Sequence, residues 1–520
     1  MEAEINVLVT SDIHGYIYPT TYRDNSDQGL GLAKVASLVK RKREETNVLL
    51  LDNGDIIQGS PLTYYHAKYK ANKENPVIKA ANYLTFDASI FGNHEFNYGQ
   101  HYLKRVVEQA DFPWLSANVI DKASGKPLFG QPYVIKELQG VRIAVLGVTT
   151  HFIPHWEEPR NIESLEFPDA LQTAKQWVKY IKAEESPDVM IVSYHGGFER
   201  DLTTGEPTER LTGENQGYQM CQELEGIDLL ITGHQHRTIA EKVNNIAVVQ
   251  PGNNGQTLGE VKIALQHLDG RWEVKDSVPV LHEIDEHIEA DKGMLDLIAD
   301  FEAETQQWLD RPIGKISGDM SISDPLITRM QDNPLIEFIN KVQMDAAGVD
   351  IANTALFNND SPGFGENVTM RDIVSNYVYP NTLNVIRISG KDIKDALEQS
   401  ATYFIVENGK IKVNPAFIEP KPQHYNYDMW EGIEYELKIS NPVGERVVQL
   451  DYQGKPIELN KQYDVVMNNY RASGAGDFDM FQGKPLIKDI PIDMTELIAD
   501  YILQRKTIQA TCNNNWRVSL

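Results

Sequence analysis

The stretch Ile5-Asn6-Val7-Leu8-Val9-Thr10-Ser11-Asp12-Ile13-His14 is a short apolar run that breaks off into two side chains able to hold a metal. The pattern recurs down the first half of the chain. Residues 48–51 run into Asp52-Asn53-Gly54-Asp55, and residues 88–91 into Gly92-Asn93-His94-Glu95. Residues 189–192 run into Ser193-Tyr194-His195-Gly196, and residues 229–232 into Gly233-His234-Gln235-His236. Further runs lie at 143–148 and 246–249. Short β-rich runs bounded by glycine and polar residues read as buried strands. Helical-looking stretches such as 32–43 and 168–182 lie between several of them, so the first half is expected to be an α/β layered domain. A lone histidine, such as His282, is ordinarily a surface or core residue. Ligand-competent side chains at the ends of five strands are another matter, because ligands bind at that edge of open α/β sheets.

Working outward, the texture changes after residue 246. Residues 284–309 are rich in charge and carry Ile288, Met294, Ile298, Phe301 and Trp308 at roughly helical spacing, with Pro312 as the stop. This predicts an amphipathic helix that also connects two domains. A second, α+β unit is expected from about residue 313, with helices near 335–347 and 392–404 and strands near 384–388 and 462–467. A chain of 520 residues exceeds what one hydrophobic core usually serves, which also points to two domains.

Composition narrows the function. Hydrophobic residues at 41% and charged residues at 24% are ordinary for a globular protein. No stretch of ~18 apolar residues spans a membrane, and residues 1–10 have no basic segment followed by an apolar one, so a cytoplasmic protein is expected. Cys221 and Cys512 make no CxxC pair, which argues against a disulfide scaffold or a cysteine-based zinc site. A net charge of −26 repels nucleic-acid duplexes and acidic membranes. A small phosphate can still bind where a metal centre overrides the field.

The strand-end residues suit such a centre. A dinuclear hydrolase clamps the attacking and leaving oxygens between two cations ~3.5–4 Å apart. Carboxylate, imidazole and amide oxygen ligands fit divalent manganese, zinc, iron or cobalt. Close cations repel unless an anion bridges them, and Asp55 is the natural bridge. Asp12 and His14 are i and i+2, so on an extended strand end they point to one side; His234 and His236 repeat that spacing. Asn93 supplies a neutral oxygen and His195 a nitrogen. His94, next to a ligand, is expected to face partly away from the metals and either to donate a proton to the leaving oxygen, an effect worth ~10²–10⁴-fold, or to steady the phosphoryl charge.

Asp12-Ile13-His14, Gly54-Asp55, Gly92-Asn93-His94-Glu95, Tyr194-His195-Gly196 and Gly233-His234-Gln235-His236 resemble, in order, the five blocks of the calcineurin-like metallophosphoesterases. The whole chain resembles a narrower group, the 5′-nucleotidase and 2′,3′-cyclic-nucleotide 2′-phosphodiesterase family. Its second-domain marks are Tyr379-Pro380-Asn381-Thr382, Asn426-Tyr427-Asp428, Asn441-Pro442-Val443-Gly444 and Asn468-Asn469-Tyr470-Arg471-Ala472-Ser473-Gly474. The resemblance implies a four-layered α/β/β/α metallophosphoesterase domain over residues 1–282. A connecting helix would cover 283–312, and a smaller α+β nucleotide-binding domain 313–520. It implies two divalent metals, one held by Asp12, His14, Asp55 and His236, the other by Asp55, Asn93, His195 and His234. It implies a small-molecule nucleotide substrate whose base is sandwiched by aromatic rings, and a hinge at the connecting helix. Tyr379, Tyr427 and Tyr470 are the candidate base-binding residues, with Tyr425 not separable from Tyr427 by sequence. Stacking of this kind is worth ~1–3 kcal/mol per base.

Two departures bear on substrate. Many 5′-nucleotidases carry an aspartate three residues after the catalytic histidine; here that residue is Asn97. They also show a glycine-rich loop with an arginine for the phosphate, whereas residues 357–363 contain none. Both departures lean toward the cyclic phosphodiesterase branch with 3′-nucleotidase activity, in which a metal-held hydroxide attacks phosphorus in line with the departing 2′ oxygen. A 5′-nucleotidase or UDP-sugar hydrolase on the same scaffold is the alternative. The reading from another class is a non-catalytic nucleotide-binding protein.

Overall fold

In the computed structural model, residues 2–520 are described except 24–25, 156, 209–210, 380, 420 and 491. Pro380 of the Tyr379-Pro380-Asn381-Thr382 block therefore lies outside the described residues. The chain divides into two compact units, Met1–Thr305 and Gln306–Leu520.

The first unit is built on twelve main strands: β1 (Glu2–Thr10), β2 (Val48–Asp52), β3 (Ala88–Ile90), β4 (Trp114–Leu115), β5 (Tyr133–Leu138), β6 (Val141–Thr149), β7 (Val189–His195), β8 (Leu229–Ile231), β9 (Thr238–Val243), β10 (Ile246–Pro251), β11 (Thr257–Leu268) and β12 (Arg271–Glu283). They form two six-stranded sheets with spatial orders β12-β11-β1-β2-β3-β4 and β9-β10-β8-β7-β6-β5. In the first, β1 to β4 are parallel and β11 and β12 add antiparallel at one edge. In the second, β6, β7, β8 and β10 are parallel between antiparallel edge strands.

The period-2 alternation of the strands explains why the sheets face each other. Val7, Val9, Leu49, Leu51, Ala88 and Ile90 of one sheet share a buried cluster with Ile143, Val145, Val189, Ile191, Leu229 and Ile231 of the other. The alternate residues of the second sheet, among them Leu146, Met190, Val192 and Leu230, pack with Ala174, Val178 and Ile181 of the helix Ala170–Glu184. Parallel strands need crossover connections. With one face of the first sheet taken by the second, the crossovers Leu32–Glu45, Pro76–Leu84 and Gly99–Gln109 take the other. The layers are therefore α/β/β/α, as expected.

The helix predicted over 284–309 begins later, at Lys292. Residues 284–291, between the end of β12 at Glu283 and the helix, are turns and irregular backbone instead. The start signal is Asp291, whose Oδ1 accepts the backbone N–H of Met294 at 2.8 Å, as an N-cap does. Among the described residues no helix is long and apolar enough to cross a membrane. Cys221 and Cys512 are both free thiols.

The second unit centres on a five-stranded sheet in the order Asp428–Glu431, Ile351–Ala355, Gln462–Asn468, Leu383–Ser389, Leu486–Ile490. Helices Pro334–Ala347 and Gly390–Ala401 carry buried faces, and each has a side-chain N-cap, from Asn333 and Ser389.

Candidate metal centre

β1, β2, β3, β7 and β8 end at one edge of the two sheets; His195 is the last residue of β7, and the turns beyond the other four carry the remaining six candidate ligands. Two of the expected reasons need correcting. Asp12 and His14 do not lie on an extended strand end: β1 stops at Thr10. Asp12, His14, Asp55, His234 and His236 all have positive φ, at 53°, 50°, 56°, 67° and 56°. Asp12 and His14 converge because two left-handed residues flank one ordinary residue, not because of strand pleat, and the same local pattern sends His234 and His236 to different groups of donors. Non-glycine residues in this region are uncommon and carry backbone strain that gathers at functional sites.

Neighbouring turns hold these conformations. The N–H of Asp12 donates to Gly54 O at 2.9 Å and that of His14 to Asp55 O at 2.8 Å. Glu95, which sequence reading passed over, is fully buried. It accepts the N–H groups of Asp55 (2.8 Å), Ile56 (2.8 Å) and Gly92 (2.6 Å), locking the β2 turn to the β3 turn. Gly92 has to be glycine: a Cβ there would stand 2.2 Å from Asp55 Oδ1.

The side chains fall into two groups. In one, donor atoms of Asp12, His14 and His236 lie within 4.8 Å of one another; in the other, those of Asp55, His195 and His234 do the same. His14 Nε2 and His236 Nε2 are 3.0 Å apart, and His236 Nε2 is 3.4 Å from Asp12 Oδ1. His195 Nε2 stands 3.1 Å from Asp55 Oδ2 and 3.1 Å from Asn93 Oδ1, and His234 Nδ1 is 2.8 Å from the same amide oxygen.

Hydrogen positions follow from the outer partners. His14 Nδ1 faces Gln58 O at 2.8 Å, His195 Nδ1 faces Asn53 O at 2.7 Å, and His234 Nε2 faces Glu214 Oε1 at 2.7 Å. Carbonyls and carboxylates only accept, so each of these nitrogens carries the hydrogen and the inward nitrogen presents a lone pair. In the neutral rings of His195 and His234 that nitrogen faces the oxygens of Asp55 and Asn93. A cation among these atoms would satisfy them together, and outward-donating imidazoles are how proteins orient metal ligands. The field favours positive charge at this spot. Burial opposes charge on His195, yet the carboxylates of Asp55 and Asp12 outweigh it and push His195 up to about 10, so a proton on Nε2 holds the place that a cation would take. The donor set, carboxylates, imidazoles and one amide oxygen, fits borderline divalent metals.

His94 is half-buried beside this cage, its ring centroid 5.3 Å from that of His14. Its backbone N–H donates to Asp55 Oδ1 at 2.7 Å, and its Nδ1 lies 2.7 Å from Asn97 Oδ1.

In the second unit the aromatic candidates separate. Tyr379, Tyr425 and Tyr470 are half-buried, with ring centroids 6.3 Å apart for Tyr379–Tyr425 and 6.3 Å for Tyr425–Tyr470. Tyr427 does not join them. It is fully buried in the core against Tyr403 and Phe404, leaving no ring face for a base. The 81° angle between the Tyr425 and Tyr470 rings is an edge-to-face contact, not a parallel pair. Arg471 anchors this region. It is buried, pairs with Asp428 at 2.7 Å and donates to Tyr425 O at 2.8 Å. The loop that lacks an arginine of its own is held by Arg329, which donates to Leu356 O at 2.7 Å and Asn359 Oδ1 at 2.8 Å.

Comparison with known proteins matches both units. Residues 5–238 fit the model for calcineurin-like phosphoesterases, and residues 312–483 that for the 5′-nucleotidase C-terminal domain. A 2′,3′-cyclic-nucleotide 2′-phosphodiesterase/3′-nucleotidase of Yersinia enterocolitica is 30% identical, over 99% of this chain and 88% of its own. The trifunctional nucleotide phosphoesterase YfkN of Bacillus subtilis (strain 168) is 28% identical over 100% of this chain, which spans only 39% of that protein. Among solved structures, a candidate 5′-nucleotidase of Staphylococcus aureus in complex with α-ketoglutarate superposes with a TM-score of 0.91 at 36% identity, covering 100% of both chains.

Proposed function

Because the chain belongs to the 5′-nucleotidase and 2′,3′-cyclic-nucleotide 2′-phosphodiesterase family of calcineurin-like phosphoesterases, we propose that it is a two-metal nucleotide hydrolase that opens 2′,3′-cyclic phosphates and removes the resulting 3′-phosphate. The observation that carries the metal-dependent part is the convergence of the inward nitrogens of His195 and His234 on the oxygens of Asp55 and Asn93. The family implies divalent cations. Asp12, His14 and His236 would hold one, and Asn93, His195 and His234 the other, with Asp55 shared. When bound, such cations act as Lewis acids toward a phosphoryl group and make a nucleophile available at neutral pH.

The chain's own residues do the rest. His94 reaches the reacting phosphate from beside His14 and moves a proton at Nε2, its Nδ1 being engaged by Asn97. Tyr470 and Tyr425 offer ring faces on which a base stacks without being read. Asn97 in place of an aspartate, and the arginine-free loop at 357–363, support the cyclic branch, as does the name of the Yersinia relative. Preference for 5′-nucleotides is the second reading, favoured by the similarity to the S. aureus structure. A hydrolysis panel of 2′,3′-cyclic, 3′- and 5′-nucleotides with added manganese decides between them. Fastest turnover of the cyclic substrates is expected; comparable turnover of 5′-AMP overturns the preference.

A further inference from the structure

The amide of Asn97 is not the end of the chain of hydrogen bonds that starts at His94. Asn97 Nδ2 donates to Glu157 Oε2 at 2.7 Å. Glu157 is 7% exposed. Its other oxygen accepts from Asn161 Nδ2 at 2.9 Å and from the backbone N–H of Glu158 at 2.8 Å. Asn161 Nδ2 also donates to Asn97 O at 3.1 Å, and Asn161 O accepts from Gln100 Nε2 at 3.1 Å. The cluster is thus tied to the helix Gly99–Gln109.

The direction of these bonds can be read without seeing hydrogens. Asn161 and the Glu158 backbone present only N–H groups to Glu157, so the carboxylate accepts on both sides. An asparagine amide by itself can sit either way round. Beside an acceptor-only carboxylate, the Asn97 NH₂ has to face Glu157, which turns Oδ1 toward His94. An amide oxygen cannot donate, so the His94 nitrogen 2.7 Å away carries the hydrogen. That nitrogen is Nδ1, and Nε2 is left to exchange a proton with substrate.

We propose that Glu157 is a positioning residue for His94 that acts through Asn97: it fixes the amide, and the amide fixes the tautomer and ring orientation of the histidine. The proposal rests on the reading of His94 given above. It accounts for an amide standing where a carboxylate is common, since the carboxylate stands one side chain further out.

The test compares the full-length, manganese-loaded wild type with Glu157→Gln, Asn97→Asp, the double variant and His94→Ala. Glutamine can offer its own NH₂, so Asn97 in Glu157→Gln is free to turn over. The expected result is a fall in kcat of about 10- to 100-fold, with KM, metal content and Tm unchanged. Asn97→Asp should restore kcat in the Glu157→Gln background, because an aspartate accepts from Nδ1 whichever way it turns. In zinc-loaded protein labelled with ¹⁵N-histidine, the His94 signals, assigned by their loss in His94→Ala, should show a single Nδ1–H tautomer in the wild type and a mixture in Glu157→Gln. Unchanged kcat in Glu157→Gln beside an inactive His94→Ala overturns the role of Glu157. So does a loss that follows Tm and is not restored by Asn97→Asp. Full activity of His94→Ala would instead remove the reading of His94 itself.

Discussion

His195 Nε2 lies 3.1 Å from Asp55 Oδ2, where His195 is the last residue of β7 and Asp55 lies in the turn after β2, in the other sheet of the sandwich. Both are buried, at 0% and 1% exposure. This contact is where the two sheets meet chemically. It brings a lone pair and a carboxylate together where neither can reach water, an arrangement that costs free energy unless a positive charge lies between them.

Asp55→Asn keeps the shape of that side chain and removes its charge. Because Asp55 is proposed to serve both cations, the variant should purify with neither metal group filled. Hydrolysis of 2′,3′-cyclic AMP should fall by at least about 100-fold. Elemental analysis beside the assay checks it. Full metal content with full activity would show that Asp55 bridges nothing.

His94→Gln should behave differently. Metal content should stay at the wild-type level while kcat falls by ~10²–10⁴-fold. Loss of metal from this variant would place His94 among the ligands and undo its proposed role.

The tyrosines separate by readout. Tyr470→Ala should leave Tm unchanged and remove a stacking contact worth about 1–3 kcal/mol, roughly a 5- to 150-fold rise in KM. Tyr427→Ala opens a cavity beside Tyr403 and Phe404 and should cost about 3–5 kcal/mol of stability. Thermal melting and steady-state kinetics on the same preparations read both effects. A KM effect without a stability effect at Tyr427 would contradict its core position.

Glu431 gives the second unit a pH dependence. Burial, then the charges of Asp332 and Glu337, outweigh a hydrogen bond from Asn513 and push its carboxyl from 4.5 to about 7. The folded chain therefore keeps a proton that the unfolded chain has lost between these values. Stability should fall as pH rises from about 4.5 to about 7, by on the order of 3 kcal/mol in the limit. Urea midpoints between pH 5 and 8 should show this slope, and Glu431→Gln should flatten it. A midpoint that rises with pH over this window in the wild type would reverse the sign.

Much of this was legible in the sequence because strand ends are marked by period and punctuation. The runs at 5–10, 48–51 and 229–232 announce their own termini, and the ligands follow within a few residues. The left-handed turns at Asp12, His14, Asp55, His234 and His236 were not legible, since aspartate and histidine favour positive φ more than most residues but still adopt it in a minority of cases. Glu95, Glu157 and Glu214 were missed for a related reason. They sit in turns and loops where carboxylates usually face water, and only the fold brings them to the backbone of Asp55, to Asn97 and to His234. Tyr425 lies inside a short 3₁₀ turn, His424–Asn426, and Tyr427 directly after it, with no alternation to say which ring goes inward. The late start of the connecting helix had a visible cue in Asp291, overridden by the apolar spacing upstream.

Anomalous diffraction at the manganese edge from crystals of the manganese-loaded chain tests the central claim most directly. The account predicts two peaks, one among Asp12, His14 and His236 and one among Asn93, His195 and His234, with Asp55 touching both. A single peak away from these side chains, or none at full manganese loading, would contradict it.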